Sequence, residues 1–173
     1  MKHNLLASLI KVVAVVALLV SSVAATAATG SYKAQVAIDG NAIVDIANYK
    51  GSVVVRGDDV DTVTIQAWIT IDERYARTDP QKAGRLIAQI KRTLPITSDG
   101  RRVSVNEVSK HTHKRFATID YEILVPSGSA VTVHSALGDV LVSGVAGEVN
   151  ATSDKGDVTV AELQNRKKAR TRS

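Results

Sequence analysis

The chain has 173 residues, 45% of them hydrophobic but only 3% aromatic, no cysteine and a formal charge of +5. Two positive charges, Lys2 and Lys11, lie near the N-terminus and five, Arg166, Lys167, Lys168, Arg170 and Arg172, in the last eight positions; taking these seven from +5 leaves residues 28–163 at −2. A body so nearly neutral argues against a nucleic-acid partner, which needs a basic face on the fold itself, and the lack of cysteine excludes disulfides and thiolate metal sites.

Residues 1–27 read as a secretory signal peptide. Lys2 and Lys11 flank or precede an acid-free apolar run, residues 12–20, and Ala25-Thr26-Ala27 supplies a small-residue cleavage site. The run is shorter than the roughly 20 residues that span a bilayer. The expectation is therefore an exported protein, periplasmic, at the cell surface or secreted, with no transmembrane segment after cleavage and one domain over residues 28–163.

The first motif of that domain is "VDIANYKGSVVVRG", residues 44–57, with Val44, Ile46, Val53 and Val55 at alternate positions around Gly51. A strand, "TVTIQAWITID", follows and carries Trp68, whose alternation with Ile65, Ile69 and Ile71 leaves its face open; packing under a helix is the expected role, and a sugar-stacking platform the alternative. Next, Asp79 as N-cap, Pro80 at the first helical position, Ala83, Leu86, Ile87, Ile90 and Leu94 at helical spacing, and Pro95 as a stop predict one amphipathic helix over residues 80–93. Two more strands, "RRVSVNEV" and "ATIDYEILVP", complete the middle of the chain.

From Ser129 the sequence repeats in nines: "SAVTVHSAL", "GDVLVSGVA", "GEVNATSDK" and "GDVTVAELQ", the last three beginning at Gly138, Gly147 and Gly156. Two apolar positions separated by one residue put both side chains on the same face of a strand, so each nine is a strand and a turn. Identity is sharper at eighteen, where Gly138-Asp139-Val140-x-Val142 matches Gly156-Asp157-Val158-x-Val160, and residues 44–57 match residues 131–144 at seven positions. A fixed short period predicts stacked units that merge narrow Val rows into one core. The expected fold is all-β: a parallel β-solenoid, β-helix-like, with about 18 residues per two-strand turn and the helix inserted as a cap; the alternative is an antiparallel β-sandwich.

With "IANYKGSVVVRG" and "IDYEILVPSGSAVTVHSALGDVLVSGVAGEVNATSDKGDVTVAEL", the chain resembles the bacterial adhesin family known as DUF4097-like, over roughly residues 36–163. The shared features are a tyrosine-bearing strand ending in Val-Pro, here residues 121–126, and recurring Gly-Asp-Val turns. The resemblance implies an exported, adhesin-like β-solenoid and brings no catalytic residues or cofactor. Members usually continue through further turns, whereas here the unit that begins at Asn165 breaks the pattern, with Lys167 at an inward position.

Candidate chemistry is sparse. Gly51, Gly138, Gly147 and Gly156 are read as structural corner glycines, and Asp139 and Asp157 as turn formers rather than a cation site, since calcium-binding repeats carry many more carboxylates per turn. His111 and His113 are placed in a solvated loop or edge strand, and Asp58, Asp59 and Asp61 in a solvated turn. The basic residues Arg166, Lys167, Lys168, Arg170 and Arg172 form a tail suited to an anionic envelope surface or acidic polysaccharide. No nucleophile–base set, phosphate loop or dinucleotide fingerprint is present. The sequence thus points to a non-enzymatic envelope or surface interaction module whose partner is an envelope protein or polysaccharide, and in second place to a carbohydrate-active β-helix enzyme or polysaccharide-binding protein.

Overall fold

The computed structural model describes residues 27–161. Residues 1–26 of the expected signal peptide, and the basic tail with Arg166, Lys167, Lys168, Arg170 and Arg172, lie outside the described residues.

The strands are β1 Thr29–Ala37, β2 Ile43–Lys50, β3 Val53–Asp58, β4 Thr62–Ile71, β5 Ile96–Asp99, β6 Arg102–Val105, β7 Ala117–Pro126, β8 Ala130–Leu137, β9 Val140–Ser143, β10 Val149–Ser153 and β11 Val158–Ala161. The helices are α1 Glu73–Thr78, α2 Pro80–Thr93 and α3 His111–Phe116. Six strands form one sheet in the order β1-β4-β7-β3-β9-β11, and five form another in the order β10-β8-β2-β6-β5. Both are mixed. Strands β7, β3, β9 and β11 pair in parallel, but β4 is antiparallel to both β1 and β7. In the smaller sheet β10, β8, β2 and β6 are parallel and β5 is antiparallel to β6.

The parallel β-solenoid expected from the period is therefore not the fold, and no closed or coiled sheet occurs among the described residues. The antiparallel β-sandwich is not found either, because three of the four pairs in the smaller sheet and three of the five in the larger are parallel. The period of eighteen is real but local: it is the register of β10 on β8, Val149 opposite Val131, and of β11 on β9, Val158 opposite Val140. Beyond those two pairings the neighbours come from distant parts of the chain. Strand β8 lies beside β2, and β9 beside β3, whose other neighbour is β7. The ten-residue strands β4 and β7 then pair antiparallel along most of their length, and that long ladder ends the run of parallel strands.

One hydrophobic core lies between the sheets. Val44, Ile46, Val103, Val105, Val131 and Val133 enter it from the smaller sheet, and Val53, Val55, Ile119, Ile123, Val140 and Val142 from the larger. Branched side chains suit such half-buried pleated surfaces. Helix α2 packs against β1 and β4 and buries Ala83, Leu86 and Ile90, so it covers the end of the larger sheet that the smaller one does not reach. Its start follows from local chemistry: the Asp79 carboxylate accepts a hydrogen bond from the Lys82 N–H at 2.9 Å, and Pro80 needs no donor at the first helical position. That N–H, and then the Lys82 ammonium 3.2 Å away, hold the Asp79 carboxyl below its ordinary range.

The sequence predicts one helix where three form among the described residues. Helix α1 is N-capped by Asp72, which accepts from the Tyr75 N–H, and α3 ends with Phe116 stacked on Tyr75, ring centroids 4.3 Å apart. Both are six residues long, too short to show a helical period. At the opposite end of the molecule, Val158 and Val160 occupy the register of the buried Val140 and Val142 yet are 42% and 48% exposed. Among the described residues nothing covers that end.

Candidate functional site

The recurring glycines are explained by close packing of backbones. Gly51, Gly138 and Gly156 fall in one column across β3, β9 and β11, and each has a positive φ. A Cβ built on Gly138 would collide with the Gly51 carbonyl, and one on Gly156 with the Gly138 carbonyl. Gly147 is equally constrained, by the carbonyl of Ser129.

Beside this column runs a row of side chains that serve the backbone. Asp139 Oδ1 accepts from the Asp157 N–H at 2.9 Å, and Asp120 Oδ1 from both the N–H and the hydroxyl of Ser52 at 2.8 Å. Asn48 donates to the carbonyls of Gly51 and Ile119, and Ser153 to that of Gly138. These carboxylates are occupied with amides, and no group of three metal-ligating side chains occurs among the described residues. Asp58 acts in the same way, with its carboxylate accepting from the Asp59 N–H and its carbonyl from Val60 and Ser127.

The histidines do not form a pair. His111 and His113 lie in helix α3, not in a loop or strand, with His111 exposed and His113 only 2% exposed. His113 Nε2 has no hydrogen-bond partner, and burial, with Lys110 nearby, lowers its pKa below the ordinary imidazole value. His134 lies on the outer face of β8, where Nδ1 is 3.2 Å from the Thr152 hydroxyl and Nε2 3.8 Å from Asp154.

The concave feature of most chemical interest lies on the outer face of the six-stranded sheet. In β4 the odd positions Val63, Ile65, Ala67, Ile69 and Ile71 are all buried, so the even ones, Thr64, Gln66 and Trp68, point outward. Trp68 is 42% exposed. The packing role under the helix expected for it is thus incorrect, because α2 covers the other face. Register sets Trp68 opposite Ser31 of β1, Gln66 between Lys33 of β1 and Glu122 of β7, and Arg56 of β3 between Leu124 and Ser143. Arg56 Nε lies 3.5 Å from Glu122 Oε1, with both side chains solvated. With Asp58, Gly57 and Gly144 these residues line a groove of about 740 Å³, within the usual size range of ligand sites.

The groove was hard to read from the sequence, since its residues come from five strands spread over more than a hundred positions. One signal was present. The five alternate apolar residues of β4 fix Trp68 on the opposite face, but the small Ala67 in that row weakens the pattern around the tryptophan.

No protein-family model matches the chain and no curated protein matches it, so the likeness to the DUF4097-like family rests on the quoted motifs alone. Among solved structures, a "putative cell adhesion protein" from Clostridium sporogenes aligns with 78% of this chain and 100% of its own at 6% identity, with a TM-score of 0.34. Similarity at that level transfers neither fold nor role.

Proposed function

We propose that the protein is an exported, non-enzymatic polysaccharide-binding module that holds its ligand on the outer face of the six-stranded sheet. The observation that carries this reading is the exposed indole of Trp68 within a groove of planar polar side chains. A sugar ring presents an apolar C–H face and a rim of hydroxyls. The face suits an aromatic ring, an apolar body whose burial releases water, and the rim suits Gln66, Glu122 and Arg56, which offer donors and acceptors in fixed planes. The two carboxylates of the groove favour binding over hydrolysis. Glu122 pairs with Arg56 and Asp58 accepts from a backbone amide, so neither is left as an isolated acid or base.

Such a module fits an adhesin-like role at the cell envelope. Arg166, Lys167, Lys168, Arg170 and Arg172 enter the reading only by their charge, which would draw the chain toward an anionic envelope surface. Affinity electrophoresis through gels containing neutral or acidic polysaccharides tests the reading. The mature chain is retarded, and Trp68→Ala weakens retention about tenfold or more, as loss of a central tryptophan does at binding sites. Equal retention of the variant, with its fold intact by circular dichroism, refutes the platform. Release of reducing ends from the bound polysaccharide refutes the non-enzymatic part.

A further inference from the structure

We infer that the groove takes an internal stretch of an extended, uncharged polysaccharide, about three sugar units long, lying across the strands; this rests on the polysaccharide-binding reading above. The length follows from the sheet. Trp68 is on β4 and Ser143 on β9, with β7 and β3 between them, so three strand spacings, about 14 Å, separate the indole platform from the β9 end of the groove. A six-membered sugar ring with its glycosidic bond advances by roughly one strand spacing, so this stretch takes about three consecutive pyranose units.

The internal mode follows from the walls. The lining comes from the outward faces of β1, β4, β7, β3 and β9, together with Gly144 directly after β9. No long loop contributes to the lining, and nothing in it forms the closed end that a pocket for a chain terminus requires. The floor is low at the β3–β9 end because Gly57 and Gly144 lie backbone against backbone, where a Cβ on either would strike the other's carbonyl. A sugar there approaches the main chain itself.

The absence of ligand charge follows from the balance of the lining. Lys33 and Arg56 are offset by Asp58 and Glu122, so the groove offers a polyanion or polycation no net attraction. The Arg56–Glu122 pair, open to solvent at 3.5 Å, places one donor beside one acceptor. That pairing matches two adjacent hydroxyls of a sugar, one accepting and one donating, without either charge having to be neutralised.

Titration calorimetry of the mature chain against neutral cello-, xylo- and chito-oligosaccharides of increasing length tests this inference, with oligogalacturonates as the acidic comparison. In at least one neutral series, affinity rises about tenfold or more up to about three or four units and then levels off. Borohydride reduction of the chain end leaves it unchanged for the longer members, and a tenfold rise in salt alters Kd less than about twofold. Tight binding of a monosaccharide, or loss on end reduction, overturns the internal mode. Binding only of uronate chains, released by salt, overturns the uncharged class while polysaccharide binding stands. Retention of no polysaccharide, neutral or acidic, overturns both readings together.

Discussion

The carboxylate of Asp139 accepts a hydrogen bond from the backbone N–H of Asp157 at 2.9 Å, so the second Gly-Asp-Val motif is tied to the first by the side chain that the two share. The same relation joins Asp120 to Ser52. Asp139 thus acts as a backbone acceptor between the two motifs. Replacing Asp139 by Ala removes the acceptor and costs about 1 kcal/mol, whereas Asn, which keeps an acceptor oxygen, costs less. Thermal denaturation with and without calcium checks both parts. A calcium-induced rise in Tm that disappears in Asp139→Ala would show that the carboxylate binds metal.

The glycine column makes a stronger demand. Gly138→Ala places a methyl group against the Gly51 carbonyl and so forces two paired strands apart, for an expected loss of about 2–4 kcal/mol. Gly40 is the control. Its φ is also positive, at 85°, but a Cβ there has nothing within 4 Å, so Gly40→Ala pays only the backbone strain of about 1–2 kcal/mol. Urea denaturation of the two variants separates collision from strain, and equal losses would mean that contact between the backbones contributes nothing.

Strand β11 allows a test of where the core ends. Val142 and Val160 are neighbours in register, but Val142 is fully buried and Val160 is half exposed. Val142→Ala should cost about 2 kcal/mol through lost burial and the cavity left behind. Val160→Ala should stay within about 0.5 kcal/mol. If equilibrium unfolding gives the same loss for both, Val160 is covered in solution and the core extends beyond β11.

These contrasts show which parts of the fold the sequence could reveal. Helix α2 is legible because Asp79, Pro80 and the spacing of Ala83, Leu86 and Ile90 act within a few residues of one another. The strands of the repeat are legible from alternation, and their register from the identity at eighteen. What cannot be read locally is the partner on the other side of each strand. Nothing in "ATIDYEILVP" says that β7 will sit between β3 and β4, one neighbour parallel and the other antiparallel. A local period continued across that choice describes a solenoid, which the antiparallel β4–β7 ladder interrupts. The groove shares the difficulty, since Lys33, Gln66, Glu122 and Arg56 become neighbours only through that strand order.

The buried imidazole of His113 gives the fold a dependence on pH with a defined sign. Its pKa is lowered by burial first and by Lys110 second, and Nε2 faces no acceptor that would welcome a proton. The unfolded chain therefore takes up the proton more readily than the folded one. Stability from neutral His113 is fully present above the unfolded value of about 6.5 and is lost as pH falls from there toward the lower folded value, at up to about 1.4 kcal/mol per pH unit. Helix α3, six residues long and joined to β7 through Phe116, is where the loss is felt first. Urea midpoints measured at steps between about pH 7.5 and about pH 5 should decline for the native chain and decline less for His113→Leu. Superimposable pH profiles for the two proteins would show that His113 is protonated as readily in the folded chain as in the unfolded one.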